Sequence, residues 1–135
     1  MAFQYSVAAR NAAIDAIETA IGTAPILEIR TGSPPANCAA ADTGTLLASM
    51  TLPSDFLSAA SSGSKTLLGT WSDTSADATG TAGHFRIKNS AGSTCHLQGT
   101  VTATGGGGDM TFDSVSFTSG QTVNVTNFTI TAGGA

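Results

Sequence analysis

The chain changes its hydrophobic period once, near residue 25. Before that point Val7, Ile14, Ile17 and Ile21 recur at helical spacing, flanked by Ala9, Ala13, Ala16 and Ala20 in a narrow, smooth stripe. Ser6 is placed to cap the first backbone donors and Gly22 to stop the helix with a left-handed residue, so the pattern predicts one helix over residues 6–21. Arg10 falls in line with the stripe; a solvated edge position is the expected reading, beside a stem lying on apolar surface or a carboxylate on a partner. From Pro25 onward the period is two. Leu27 and Ile29 alternate with Glu28 and Arg30, and Leu46, Ala48, Met50 and Leu52 share a face opposite Leu47, with Pro53 ending that strand. Residues 65–71 read as a further strand. Phe85 and Ile87 then point inward against His84, Arg86 and Lys88, and a polar turn leads to Cys95, Leu97 and Val101 on the inward parity, which completes a hairpin.

Between these elements the sequence loses both periods. Residues 31–44 contain Pro34 and Pro35, which forbid a helix, and the segment is expected to be a long surface excursion able to act as a docking arm. Phe56 and Leu57 sit among small polar residues and are expected to tuck under the sheets as a single turn rather than form an exposed tip. Residues 72–82 read as loop, and four glycines at 105–108 are expected to make a flexible, swinging connection.

The last quarter repeats itself. Met110, Phe112, Val115, Phe117 and Gly120 are matched by Val123, Val125, Phe128, Ile130 and Gly133, so two similar β units are expected side by side. Within each unit the apolar parity slips once, which turns later side chains to the other face unless a corner absorbs the slip. The prediction is therefore two short strands per unit, bent near Asp113/Ser114 and Thr126/Asn127. Taken together, residues 1–135 are expected to form a single, mainly β domain: an antiparallel β-sandwich or jelly roll over about 25–132 with one N-terminal α-helix.

Composition sharpens this picture. Ala, Gly, Ser and Thr supply 74 of 135 residues and Ile, Leu, Val and Phe only 26, so the core must be thin, yet with 14 charged residues and a net charge of -4 the chain lacks the charge density of a disordered one. A thin core leaves little margin against conformational entropy, and neighbouring subunits are expected to supplement stability. Five scattered basic residues make no footprint for nucleic acid, no run approaches the roughly 20 apolar residues that span a bilayer, and the start lacks a signal peptide's basic and apolar regions. The expectation is a protein made in the cytoplasm, with no membrane or nucleic-acid partner, in which Cys38 and Cys95 stay reduced, although they are able to pair.

No reactive constellation emerges. Strand alternation sends Cys95 and His96 to opposite faces, no C-x-x-C or H-x-x-x-H spacing exists, and His84 and His96 read equally well as a mildly pH-sensitive pair facing each other on the outer side of the hairpin or as plain solvated histidines. There is no G-x-S-x-G elbow, no D-x-D-x-D-G run and no phosphate loop, and Asp73, Asp77, Asp109 and Asp113 read as turn residues. Trp71 and Tyr5 are candidates to stack on a sugar, with a core role the simpler reading for the tryptophan. Neither a catalytic site nor a cofactor is expected.

Residues 1–22, 26–44, 80–87 and 120–134 together resemble small virion proteins encoded by tailed bacteriophages and prophages. Within phage particles, the size and β content are similar to the jelly-roll cement or decoration proteins that lie on the outside of a head shell. The resemblance implies a non-enzymatic virion component whose partners are the major capsid protein and further copies of itself. The contact surfaces expected for that role are the helix stripe, with Val7, Arg10, Ile14 and Ile17, and the loop at Pro34 and Pro35. An alternative is a tail- or fibre-associated module that binds host-surface carbohydrate through Trp71 and Asp73, and a third is a wall hydrolase.

Overall fold

A computed structural model describes residues 3–135. Helix α1 runs over Val7–Ile21; the Ser6 hydroxyl accepts from the Ala9 amide at 3.1 Å, and Gly22, at φ +88°, turns the chain away while its amide donates to the Glu18 carbonyl. Ten strands follow: β1 Ile26–Thr31, β2 Leu46–Thr51, β3 Ser64–Thr66, β4 Trp71–Asp73, β5 Gly80–Lys88, β6 Cys95–Ala103, β7 Met110–Phe112, β8 Ser116–Phe117, β9 Val123–Val125 and β10 Thr129–Thr131. The chain is mainly β with a single helix among the described residues, and that helix is too short to cross a membrane.

The largest sheet has the order β2-β1-β5-β6-β7, with β8 also pairing to β5, while β10 pairs with β3 and β4 with β9 in two small sheets. Leu27, Ile29, Phe85 and Ile87 lie on its inner face and are buried, as their alternation requires. In β2 the alternation fails. The register passes from Ile29 opposite Ala48 to Arg30 opposite Leu46, so Leu47 is an extra residue in a bulge, and both Leu47 and Ala48 are buried. Leu46, expected inside, is only half-buried. The strand expected over 65–71 is interrupted at Gly69, which adopts φ +76°, leaving β3 and β4 as separate pieces. Phe56 and Leu57 are tucked inside, as the pattern suggested.

The closing repeat divides into four strands with its breaks where the parity slips. Its two units line a common cleft, but their strands do not pair with each other. β7 pairs with β6, β8 with β5, β9 with β4 and β10 with β3, so each strand of the repeat finds a different earlier partner. The β6–β7 pair is parallel, which makes the large sheet mixed rather than antiparallel. Parallel neighbours normally need a long crossover, yet here residues 104–109 suffice. Gly105 and Gly107 take φ near +87° and +82°, and a Cβ on Gly106 or Gly108 would sit 2.8 Å from atoms of Thr102. The glycines therefore build a tight, packed return, held by Thr104 donating to Phe112 and Gly108 to the Thr102 hydroxyl, instead of a swinging linker.

An aromatic chain ties the sheets together. Phe56 lies 6.3 Å from Trp71, Trp71 lies 5.6 Å from Phe128, and Phe128 meets Phe85 edge-on at 5.5 Å. Phe85 belongs to the large sheet, Trp71 to the β4/β9 pair, and Phe128 immediately precedes β10, so this one cluster spans all three sheets. Replacing Phe128 with alanine should lower unfolding free energy by about 3 to 5 kcal/mol, the usual loss for a buried aromatic, read from urea titrations monitored by Trp71 fluorescence. A loss below about 1 kcal/mol would mean that Phe128 does not join the sheets.

Candidate functional site

The unexpected feature is the outer face of β5. Outward parity led to the expectation of solvated His84, Arg86 and Lys88, but all three are buried, with Arg86 only 2% exposed. The cover is the loop of residues 31–44, which folds back over the sheet. Gln98 Nε2 donates to the Pro35 carbonyl at 2.7 Å, Arg86 Nη2 donates to the carbonyls of Cys38 and Ala40 at 2.8 and 3.1 Å, and His84 Nδ1 lies 2.9 Å from the Gly32 carbonyl. Pro34 and Pro35 are consequently half-buried against this chain's own sheet, and the segment is a lid on β5 and β6 rather than a free arm.

Asp42 is the anchor of that lid. Its carboxylate meets Arg86 Nη1, Lys88 Nζ at 2.6 Å and Arg30 Nη2 at 3.3 Å, and Glu28 completes the network with Arg30 and Lys88, each at 3.0 Å. Burial pushes the Asp42 carboxyl up, but hydrogen bonds from Lys88 and Arg86 and the charge of Arg30 outweigh it and hold it below the ordinary carboxylate value of 3.8. For Lys88 burial pulls the ammonium down, and the hydrogen bonds it donates to Asp42 and Glu28 more than offset it, leaving it above 10.5. Arg86 Nε, His84 Nε2 and Gln98 Oε1 are buried without a hydrogen-bond partner among the described residues. The backbone accommodates the lid at Gly83, where a Cβ would stand 2.3 Å from the Gly32 carbonyl.

The hairpin register also moves the cysteines. Ile87 faces Leu97, but Lys88 faces Cys95, so His96 is the bulged residue, exposed and not across from His84. Cys95, expected on the inner face, joins Arg86 and Lys88 on the outer one. Both cysteines are free thiols. The sequence does not mark Asp42 because its partners come from two other segments, β1 and β5; the available signal is that three of the five basic residues share the outward parity of what are adjacent strands.

The second feature is a groove of about 860 Å³ between α1 and the sheets, with Tyr5, Ile14 and Ile17 on one side and Leu97, Phe128 and Ile130 on the other. The helix is fastened at one flank. Lys65, buried, contacts Asp15 and, at 2.6 Å, Glu18; the Gly63 amide donates to Asn11 Oδ1; and Arg10 donates through Nε and Nη2 to the Ala132 carbonyl at 3.2 and 3.1 Å. Arg10 is thus half-buried and tied to the C-terminal end of its own chain rather than lying as a wholly solvated edge residue. Ile14, 1% exposed, belongs to this chain's core, whereas Val7 and Ile17 remain 52% and 40% exposed, and Phe3 and Tyr5 are exposed as well.

Trp71 and Asp73 form no carbohydrate platform at the surface. Trp71 is 1% exposed and donates to the Leu68 carbonyl, while Asp73 accepts from the amides of Ser49 and Ser75, the turn role expected of it. Among the described residues no group of three His, Cys, Asp or Glu side chains is placed to hold a metal ion. No known protein family, curated protein or solved structure matches the chain.

The ion-pair network sets a pH window. Asp42 has a folded value below its unfolded one, so its stabilisation is present above about pH 3.8 and is lost as pH falls from there through the folded value. Lys88 has a raised value, so its contribution is complete below 10.5 and is lost as pH rises through the folded value. Thermal unfolding should show a plateau between these limits with a fall at each end. Asp42→Asn should lower stability near neutrality by about 2 kcal/mol, the cost of breaking a buried pair discounted for partial exposure, and should blunt the acid fall; an unchanged acid limb would remove Asp42 as the anchor.

Proposed function

We propose that this chain is a virion structural protein of a tailed bacteriophage or prophage, a cement protein of jelly-roll type that binds the assembled head shell. The observation that carries the reading is the set of exposed apolar side chains at the N-terminal end and on the helix, Phe3, Tyr5, Val7 and Ile17, of which Tyr5 and Ile17 line the groove, on a domain with an internal ion-pair network on its other face. Such side chains give a partner apolar area to bury. The resemblance of the N-terminal, loop and C-terminal segments to phage virion proteins supplies the partner: the major capsid protein, with further copies of this chain bound around joints between shell subunits.

The loop at Pro34 and Pro35, already committed to its own sheet, offers a partner only its outer surface. The helix side is accordingly the principal contact. The short, weakly charged strands fit the same role, because an assembly that covers their edges removes the hazard of edge-to-edge pairing.

Co-sedimentation with expanded, purified capsids should show saturable binding, and peptide counting on virions should place the chain near the abundance of the shell protein. A double variant, Val7→Asp with Ile17→Asp, alters two exposed side chains and should leave Tm nearly unchanged while weakening capsid binding at least tenfold, an interface loss of about 1.4 kcal/mol or more. Wild-type protein that fails to bind shells, together with virions equally heat-stable without it, would reject the cement reading.

A further inference from the structure

Cys38 and Cys95 are remote in sequence, and the structure brings them together. Cys38 lies on the lid and Cys95 on β6 opposite Lys88, and both line a cavity of about 590 Å³ with Asp42, Arg86 and Lys88. Arg86, which donates to the Cys38 carbonyl, and Lys88, which stands opposite Cys95 in the hairpin register, are two residues apart on β5, so the lid cysteine lies over the hairpin one. The Cys38 backbone is already fixed, since its carbonyl accepts from Arg86 Nη2 at 2.8 Å, and the Cys95 thiol donates to the Leu97 carbonyl at 3.4 Å. Both residues are half-buried, so a small reagent has partial access to the sulfurs.

We propose that Cys38 and Cys95 are a dithiol/disulfide pair that a small-molecule disulfide oxidises, covalently fastening the lid of residues 31–44 to the hairpin over the buried cations. One thiolate attacks a sulfur of the reagent R–S–S–R, forming a mixed disulfide and expelling RS⁻. The other thiolate attacks the protein sulfur of that mixed disulfide, forming the Cys38/Cys95 bond and expelling a second RS⁻. Two electrons pass to the reagent, and the two protons given up by the cysteines end on two molecules of RSH. The lid is already held against the sheet by Asp42 and Arg86, which keeps the two cysteines on the same cavity.

The setting also governs the rate. Burial, then the hydrogen bond and charge of Cys95, push the Cys38 thiol up to about 11, against a smaller lowering by Arg86, so it is protonated near neutrality and a poor nucleophile. The pair is therefore a slow staple, closed by sustained oxidising conditions and faster in alkali.

The test uses the full chain. Reduced protein is incubated with oxidised glutathione near pH 8, quenched in acid, alkylated and digested without reduction. The expected products are a monomer lighter by about 2 Da, a linked pair of peptides carrying Cys38 and Cys95, and a Tm higher by roughly 10 °C, reversed by dithiothreitol. Closure should quicken about tenfold for each pH unit between neutrality and pH 8, as thiolate accumulates. Cys38→Ser and Cys95→Ser should each give only a glutathione adduct at the remaining cysteine, with no gain in Tm. Adducts on both cysteines without a link, cross-linked dimers, or a folded protein that does not react would overturn the proposal. So would an equal Tm gain in either single variant. The linked-peptide result in the wild-type chain decides the matter even if a variant fails to fold, and it is independent of capsid binding.

Discussion

Strand β5 is buried on both faces, and the rest of the molecule is arranged to make that tolerable. One face is simple: Phe85 and Ile87 meet Leu27, Ile29 and the aromatic cluster. The other carries His84, Arg86 and Lys88. Burying cations there has a desolvation cost that only close carboxylates and carbonyls offset. Glu28 is near enough on the neighbouring strand to serve Arg30 and Lys88, but Arg86 needs Asp42 and the lid carbonyls as well. The fold-back of residues 31–44 follows from this electrostatic requirement, and Pro34 and Pro35 help by stiffening a segment that makes no strand of its own.

The inner side is held by few large residues. In a chain so rich in alanine, glycine, serine and threonine, the cluster of Phe56, Trp71, Phe85 and Phe128 supplies much of the large apolar volume. Its placement compensates for short strands: β3, β4 and β7 to β10 each have two or three residues, too few to be stable as free hairpins, and they persist because their side chains reach a common core. The closing repeat contributes one strand to each of four earlier partners, so the end of the chain closes the molecule around that core.

These two solutions leave the surface uneven. On the lid side charges are paired and the backbone is covered. On the helix side, α1 is tied along one flank by Arg10, Asn11, Asp15 and Glu18, and its other flank leaves an apolar groove rimmed by Tyr5 and Ile17. A body stiffened by internal ion pairs with one apolar flank is physically suited to association, which is the property a shell-binding protein requires. The thiol pair beneath the lid belongs to the opposite side and affects rigidity rather than recognition.

Local rules were enough for much of the architecture. Ser6, Gly22 and the isoleucine spacing determined the helix, the alternation of Leu27 with Ile29 and of Phe85 with Ile87 determined two central strands, and the parity slips determined where the closing repeat bends. Each of these depends on neighbours within a few residues. What lay beyond the sequence depends on segments meeting across the fold. Two single-residue bulges, one in β2 and one in β6, placed Leu47 inside and Cys95 outside, and alternation does not reveal a bulge that is set by the partner strand. The repeat's strands chose separate partners because pairing is decided by the whole sheet. Most of all, outward parity meant solvent only while nothing covered that face. Asp42 became an anchor, Arg10 an internal tether and Ile14 a core residue through contacts with chain far away in sequence, and such contacts exist only in the tertiary structure.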